Sequence, residues 1–167
     1  MNVDDAIVEA LEEAGITFAC WLPCSLLDGI IKRLEEHPEI RTVRVSREEE
    51  GVGICAGAAL AGEKPALIMQ NSGLGNSVNA LCSLTLTYRL PLLMLMSHRG
   101  YLFEDIPAQV GMGKAAPKIL EDINLHTFTI ERPEDLDVIP GAWKLAETAG
   151  EPVGVFLSPR LWRQTGR

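Results

Sequence analysis

Two short, uninterrupted apolar runs, PALIMQ at 65–70 and PLLMLM at 91–96, place the strongest constraint on how this chain can fold. A strand that is apolar at nearly every position is covered on both faces, as central strands of a parallel sheet are. Around these runs the chain alternates further short strands with longer amphipathic segments, the pattern of successive βαβ units. The spacing predicts strands over 17–22, 41–45, 65–70, 91–96, 126–130 and 152–157. It predicts helices over 3–13, 26–36, 47–61, 76–88, 115–121 and 133–149. Val3, Ile7 and Leu11 share one stripe of the first helix, Gly15 closes it, and Ser25 is placed to cap the second. Residues 97–117, punctuated by Gly100, Pro107, Gly111 and Gly113, read mainly as a long loop leading into the short helix.

These elements imply an α/β fold: a doubly wound, mainly parallel sheet of about six strands with helices on both faces. The chain, 1–167, reads as a single domain in which 158–167 forms a surface tail. Charge narrows the partners. With 15 Lys and Arg against 23 Asp and Glu the net charge is −8, so neither nucleic acid nor an anionic membrane surface is expected as the principal partner. The acidic start lacks the basic region of a signal peptide, and no apolar stretch approaches the ~20 residues of a membrane span. A cytoplasmic protein is expected. Cys20, Cys24, Cys55 and Cys82 show neither CxxC spacing nor a neighbouring His cluster, so they read as buried free thiols, with no metal site on this chain.

In a doubly wound fold, ligands meet the carboxyl ends of the strands, and three segments there are chemically unusual. Residues 70–76, QNSGLGN, join a buried strand to a helix; their glycines admit a close ligand, and the helix N-terminus offers unpaired N–H groups. They lack the Lys-Ser/Thr of a Walker A loop and the GxGxxG of a dinucleotide fold, and an ordinary tight turn would look the same. Glu48, Glu49 and Glu50 precede the small-residue segment GVGICAGAALAG. The segment has four glycines, and each costs about 1 kcal/mol relative to Ala where it is helical, which suggests a helix pressed closely against the sheet and a partner subunit. The acids also suit a first helical turn with no further role. Glu48 shares a stripe with Val52, Cys55 and Ala59, and Glu50 one with Ile54 and Gly57, so periodicity does not choose between them. The third segment carries His98, Arg99, Glu104, Gln109 and Lys114 out of a buried strand, as either substrate contacts or a solvated loop.

The combination of REEEGVGICAGAALAG with PALIMQNSGLGNSVNAL resembles the pyrimidine-binding domain of thiamine diphosphate-dependent 2-oxo acid decarboxylases, over nearly the whole chain. The family's active glutamate lies nine positions before a glycine of the small-residue helix, which implies Glu48, counted back from Gly57. The resemblance implies thiamine diphosphate held through Glu48, Asn71, Ser72, Gly73, Leu74 and Asn76. A carboxylate on N1′ of the pyrimidine favours the imino tautomer that takes the thiazolium C2 proton. For the substrate, a small anionic 2-oxo acid, it implies Ser25, Arg99, Gln109 and Lys114. Residues 106–109, IPAQ, fall where family members carry Pro-Gln-His, and the histidine is absent here.

The family's second half, which holds the diphosphate through a divalent metal and carries Gly-Asp-Gly, has no counterpart in this sequence. The resemblance therefore implies a beta subunit carrying that half together with Mg²⁺. The reaction it implies is decarboxylation of 3-sulfopyruvate to sulfoacetaldehyde, as in coenzyme M biosynthesis, with phosphonopyruvate as the alternative substrate. The residues alone also admit a non-catalytic flavodoxin-like module that binds phosphate through 71–76.

Overall fold

The computed structural model describes residues 2–163. Its centre is a six-stranded, all-parallel sheet formed by β1 (Phe18–Trp21), β2 (Arg41–Arg44), β3 (Pro65–Gln70), β4 (Leu92–Ser97), β5 (Thr127–Ile130) and β6 (Pro152–Leu157). The strand order is β2-β1-β3-β4-β6-β5. The two apolar runs lie side by side, with Ile68 opposite Leu95 and Gln70 opposite Ser97. Both are buried almost throughout because helices cover both faces.

One face packs Ala19, Ile68, Leu95 and Val155 against α1 (Val3–Glu13), α2 (Asp28–Glu35), α6 (Val138–Ala149) and α7 (Arg160–Arg163). The other packs Cys20, Leu67, Met94 and Phe156 against α3 (Glu48–Leu60), α4 (Leu74–Ala80) and α5 (Pro107–Asp122). Successive strand residues point to opposite faces, which is why neighbours such as Leu67 and Ile68 enter different cores. The α1 stripe is seen as expected: Ile7 and Leu11 are fully buried, each worth about 1.5–3 kcal/mol. The Asn2 side chain accepts from the Asp4 N–H at the helix start.

Four expectations are corrected. Ser25 does not cap α2; residues 25–27 form a turn, Leu27 N–H bonds Cys24 O, and the helix starts at Asp28. The helix after β3 starts before residue 76: within the expected turn Asn71–Gly73 is a 3₁₀ turn and α4 begins at Leu74, continuing as a wider π-helical stretch over Leu81–Leu86. The loop after β4 is short, because residues 107–122 are one helix. Pro107 occupies its first turn, where a missing N–H costs nothing, and Pro117 lies within it. The last stretch is not a tail as far as Arg163: Leu161 and Trp162 are buried in α7, and Trp162 Nε1 donates to Asp4 Oδ1 over 2.7 Å. Residues 164–167 of that stretch lie outside the described residues.

Candidate functional site at the carboxyl edge of the sheet

The chain starts in the sheet at β1, moves to the edge strand β2 and returns past β1 to β3. The point between β1 and β3 is thus one where the winding direction changes, and segments leaving neighbouring strands diverge there to leave a crevice. The segments after β1, β2, β3 and β4 bring Ser25, Glu48, Gln70 to Asn76, and Arg99 to this edge.

The three consecutive acids separate sharply. Glu49 forms an ion pair with Arg47 at 2.8 Å, and Glu50 accepts from the Ser46 N–H at 2.8 Å, closing the helix start. Glu48 alone reaches across to α4, where Asn76 Nδ2 donates to its Oε2 at 2.9 Å. The carboxyl group is half-buried and lies over Gly73, where a Cβ would stand 2.5 Å from Oε1 and closer still to Cγ and Cδ. Gly73 is helical, at φ −66°, so its value here is the space above it rather than its backbone freedom. Ser77 Oγ donates to Gly73 O at 2.9 Å and contacts Asn76 Oδ1 at 3.3 Å, fixing both parts of this cradle. Among the described residues, Oε1 of Glu48 accepts no hydrogen bond. An acceptor with one oxygen engaged and one available suits the protonated ring nitrogen of a heterocycle.

A second cluster centres on Gln70, which closes β3. Its Nε2 donates to Ser72 Oγ and to Gln109 Oε1, the latter at 2.9 Å, and its Oε1 faces Cys24 Sγ at 3.9 Å. Cys24 Sγ also lies 3.3 Å from Ser97 Oγ. Gln70 and Ser97 open two of the segments singled out in the sequence, but neither is among the expected site residues. The signal was available in Gln70, the lone polar side chain in PALIMQ and the residue at the carboxyl end of the run.

The other expected site residues are placed differently. Asn71 is fully buried, and its amide is consumed by the loop after β4: Nδ2 donates to Arg99 O at 2.9 Å, and Oδ1 accepts from Arg99 N at 3.1 Å. It clamps two strand ends together. Leu74 is likewise fully buried, within the α3/α4/α5 core. Arg99 is held by Glu104 through Nε at 2.7 Å and Nη2 at 2.8 Å, and both side chains are nearly buried. The Glu104 carboxylate also accepts the N–H groups of Gly100 and Ile106 at 2.8 and 3.1 Å. Arg99 and these two N–H groups hold its pKa down at about 2, while Glu104 raises that of Arg99. The charge of Arg99 is therefore largely neutralised inside the protein.

Its remaining nitrogen, Nη1, lies 3.4 Å from Ser25 Oγ, and both line a cavity of about 320 Å³ with Phe103, Asp105 and Trp162. Lys114 is exposed and lines a different groove, with Tyr101, Leu102 and Pro117. His98 is buried against Tyr101 and Phe156, and burial lowers its pKa. Among the described residues no group of three or more His, Cys, Asp or Glu could hold a metal ion, and no helix is long and apolar enough to cross a membrane.

The outer surface of α3 explains its glycines. A Cβ at Gly51 would stand 2.6 Å from Leu67 Cδ1, so this glycine lets α3 sit close to β3. At Gly53 and Gly57 a Cβ would meet nothing within 4 Å, so these two face away from the chain's own core.

Comparison with known proteins matches residues 1–118 to the family described as thiamine pyrophosphate enzyme, N-terminal TPP binding domain. The chain is 40% identical over 169 residues to the sulfopyruvate decarboxylase subunit alpha of Methanococcus maripaludis, covering 97% of this chain and 98% of that one. It is 39% identical over 163 residues to the sulfopyruvate decarboxylase of Methanosarcina acetivorans, covering 97% of this chain but 41% of that longer protein. Among solved structures, a 2-oxoglutarate:ferredoxin oxidoreductase from Magnetococcus marinus aligns with a TM-score of 0.71 at 19% identity, over 95% of this chain and 29% of that one. At that identity the likeness shows the α/β fold alone.

Proposed function

Because this chain belongs to the thiamine pyrophosphate enzymes through their N-terminal TPP binding domain, we propose that it is the pyrimidine-binding subunit of a two-chain decarboxylase. Its reaction converts 3-sulfopyruvate to sulfoacetaldehyde and carbon dioxide in the cytoplasm. The observation that carries this reading is the Glu48 carboxylate, held by Asn76 over the gap at Gly73 on the carboxyl edge of the sheet. Thiamine diphosphate, when bound, supplies an acidic thiazolium carbon as nucleophile and an electron sink for the carboxylate that leaves.

The rest falls to the protein. Glu48 Oε1 holds a proton at the pyrimidine N1′, and Asn76 fixes the carboxylate so that this contact needs no rearrangement. Gly73 admits the carboxylate, and the 3₁₀ turn Asn71–Gly73 carries Ser72, which Gln70 holds, on the residue before it. Asn71 and Leu74 serve from behind: Asn71 ties the turn to the loop after β4, and Leu74 anchors α4 in the core. Ser25 and Gln109 face the substrate. Arg99 serves mainly to hold its loop and offers Nη1 beside Ser25, and Lys114 stands outside this cluster.

The diphosphate and Mg²⁺ are assigned to a partner chain, with the cofactor between the two. The half-exposed Glu48 and the outward Gly53 and Gly57 of α3 suit a site that another chain closes. The length of the Methanosarcina acetivorans relative, of which this chain matches 41%, leaves room for such a partner within one polypeptide.

The test is an assay of carbon dioxide release from sulfopyruvate and from phosphonopyruvate, with this chain alone, the partner alone and the mixture, each with thiamine diphosphate and Mg²⁺. Turnover of sulfopyruvate by the mixture only is expected. Efficient turnover by this chain alone would refute the divided site, and a clear preference for phosphonopyruvate would reassign the substrate.

A further inference from the structure

The hydrogen-bond directions around Gln70 determine what the crevice offers a ligand. A primary amide has two N–H hydrogens, and those of Gln70 are given to Ser72 Oγ and Gln109 Oε1. Ser72 therefore uses its oxygen as an acceptor toward Gln70 and must send its own proton elsewhere. Gln109 has its carbonyl engaged, so its NH₂ group is turned away from Gln70. Among the described residues neither the Ser72 hydroxyl nor the Gln109 NH₂ donates to a protein group, and both residues are half-buried. Two donors on the segments after β3 and β4 are thus left without a protein acceptor among the described residues, at the edge that carries Glu48. Both are neutral, and the adjacent cation, Arg99, is already matched by Glu104.

We propose that Gln70 is a positioning residue that aims the Ser72 hydroxyl and the Gln109 amide at the carboxylate of the 2-oxo acid substrate. This rests on the decarboxylase reading above and adds to it the means of carboxylate recognition. Neutral donors suit a group whose charge is lost as carbon dioxide forms. A guanidinium would stabilise the ground-state carboxylate strongly and surrender that stabilisation at the transition state, whereas two neutral hydrogen bonds surrender less. Gln70 serves this end because it fixes both donors through one group and leaves neither free to turn its acceptor to the substrate.

Gln70→Glu tests the directionality at nearly constant shape. A carboxylate at this position accepts only, so it draws the Ser72 proton and the Gln109 NH₂ inward and removes both donors from the crevice. The reconstituted two-chain complex is compared with its Gln70→Glu variant in steady-state kinetics and in equilibrium binding of two probes. Sulfolactate keeps both anions of the substrate but has no keto group, and sulfoacetaldehyde lacks the carboxylate. The expected results are a KM for sulfopyruvate raised by about tenfold or more, and a matching loss of sulfolactate affinity, from two hydrogen bonds to a charged group. Affinities for sulfoacetaldehyde and thiamine diphosphate should stay within about twofold of wild type.

Gln109→Leu removes one donor and should show part of the same selective loss, which keeps the test decisive if Gln70→Glu does not assemble. Unchanged KM and sulfolactate affinity, or equal weakening of all ligands, would overturn the positioning role. A wild-type complex inactive on sulfopyruvate would instead overturn the decarboxylase reading.

Discussion

Gly73→Ala separates the cradle around Glu48 from the stability of the fold. Gly73 has φ −66° and ψ −16°, so alanine suits its backbone and by intrinsic helix preference gains up to about 1 kcal/mol. The added Cβ, however, would stand 2.5 Å from Glu48 Oε1, well inside van der Waals contact. The obstacle is the half-buried Glu48 side chain from Cγ outward rather than backbone, so the whole side chain turns aside with its carboxylate and the turn stays. That displacement breaks the 2.9 Å bond from Asn76. A hydrogen bond to a charged group is worth about 1.5–3 kcal/mol when buried and less at this partly exposed site. Gain and loss offset, and the unfolding free energy measured by urea titration should change by no more than about 1 kcal/mol.

Catalysis has no such compensation, because a displaced carboxylate no longer meets the pyrimidine ring. Positioned acid–base groups contribute about 10²–10⁴ in rate, so kcat of the reconstituted complex should fall by about a hundredfold or more. A variant with kcat within about threefold of wild type would show that Glu48 does not act from this position. A large loss of stability would show that Gly73 serves packing instead.

Acid sensitivity of the loop after β4 follows from Glu104. Its folded pKa of about 2 lies below the ordinary 4.5, so the stabilisation is complete above about pH 5 and is lost as pH falls toward 2. Glu104→Gln should remove that part of the acid dependence in melting curves, and an unchanged acid limb would contradict the assignment. Trp162→Phe should cost about 1–3 kcal/mol by removing the buried bond to Asp4, and a change within about 0.5 kcal/mol would mean that α7 is only loosely docked.

What the sequence disclosed and what it concealed have physical causes. PALIMQ was legible because a central parallel strand is apolar on both faces, and the observed β3 has the same bounds. The first helix was legible from its stripe and from Gly15, and the observed α1 has the same bounds. Periodicity did not select among Glu48, Glu49 and Glu50, because the choice depends on Asn76 and Gly73 of another helix, 28 residues on in the case of Asn76. The helix 107–122 was hidden by Gly111, Gly113 and Pro117, which weaken helix preference. Gly113 is needed there because its backbone packs on Gly100, where a Cβ at 113 would come within 2.6 Å of the Gly100 Cα. Asn71 carried the residue type of a ligand contact but serves a strand-end clamp, and Arg99 carried a charge that Glu104 matches. Only tertiary partners distinguish a polar group that is available from one already satisfied.

The central claim concerns one carboxylate acting on a bound coenzyme ring, and exchange of the thiazolium C2 proton with deuterated solvent reports on it before any substrate is present. In the assembled two-chain enzyme, C2 exchange should be far faster than in free thiamine diphosphate, and Glu48→Gln should slow it by about a hundredfold or more with cofactor affinity largely kept. Exchange at the wild-type rate in a Glu48→Gln complex that still binds the cofactor would contradict the account.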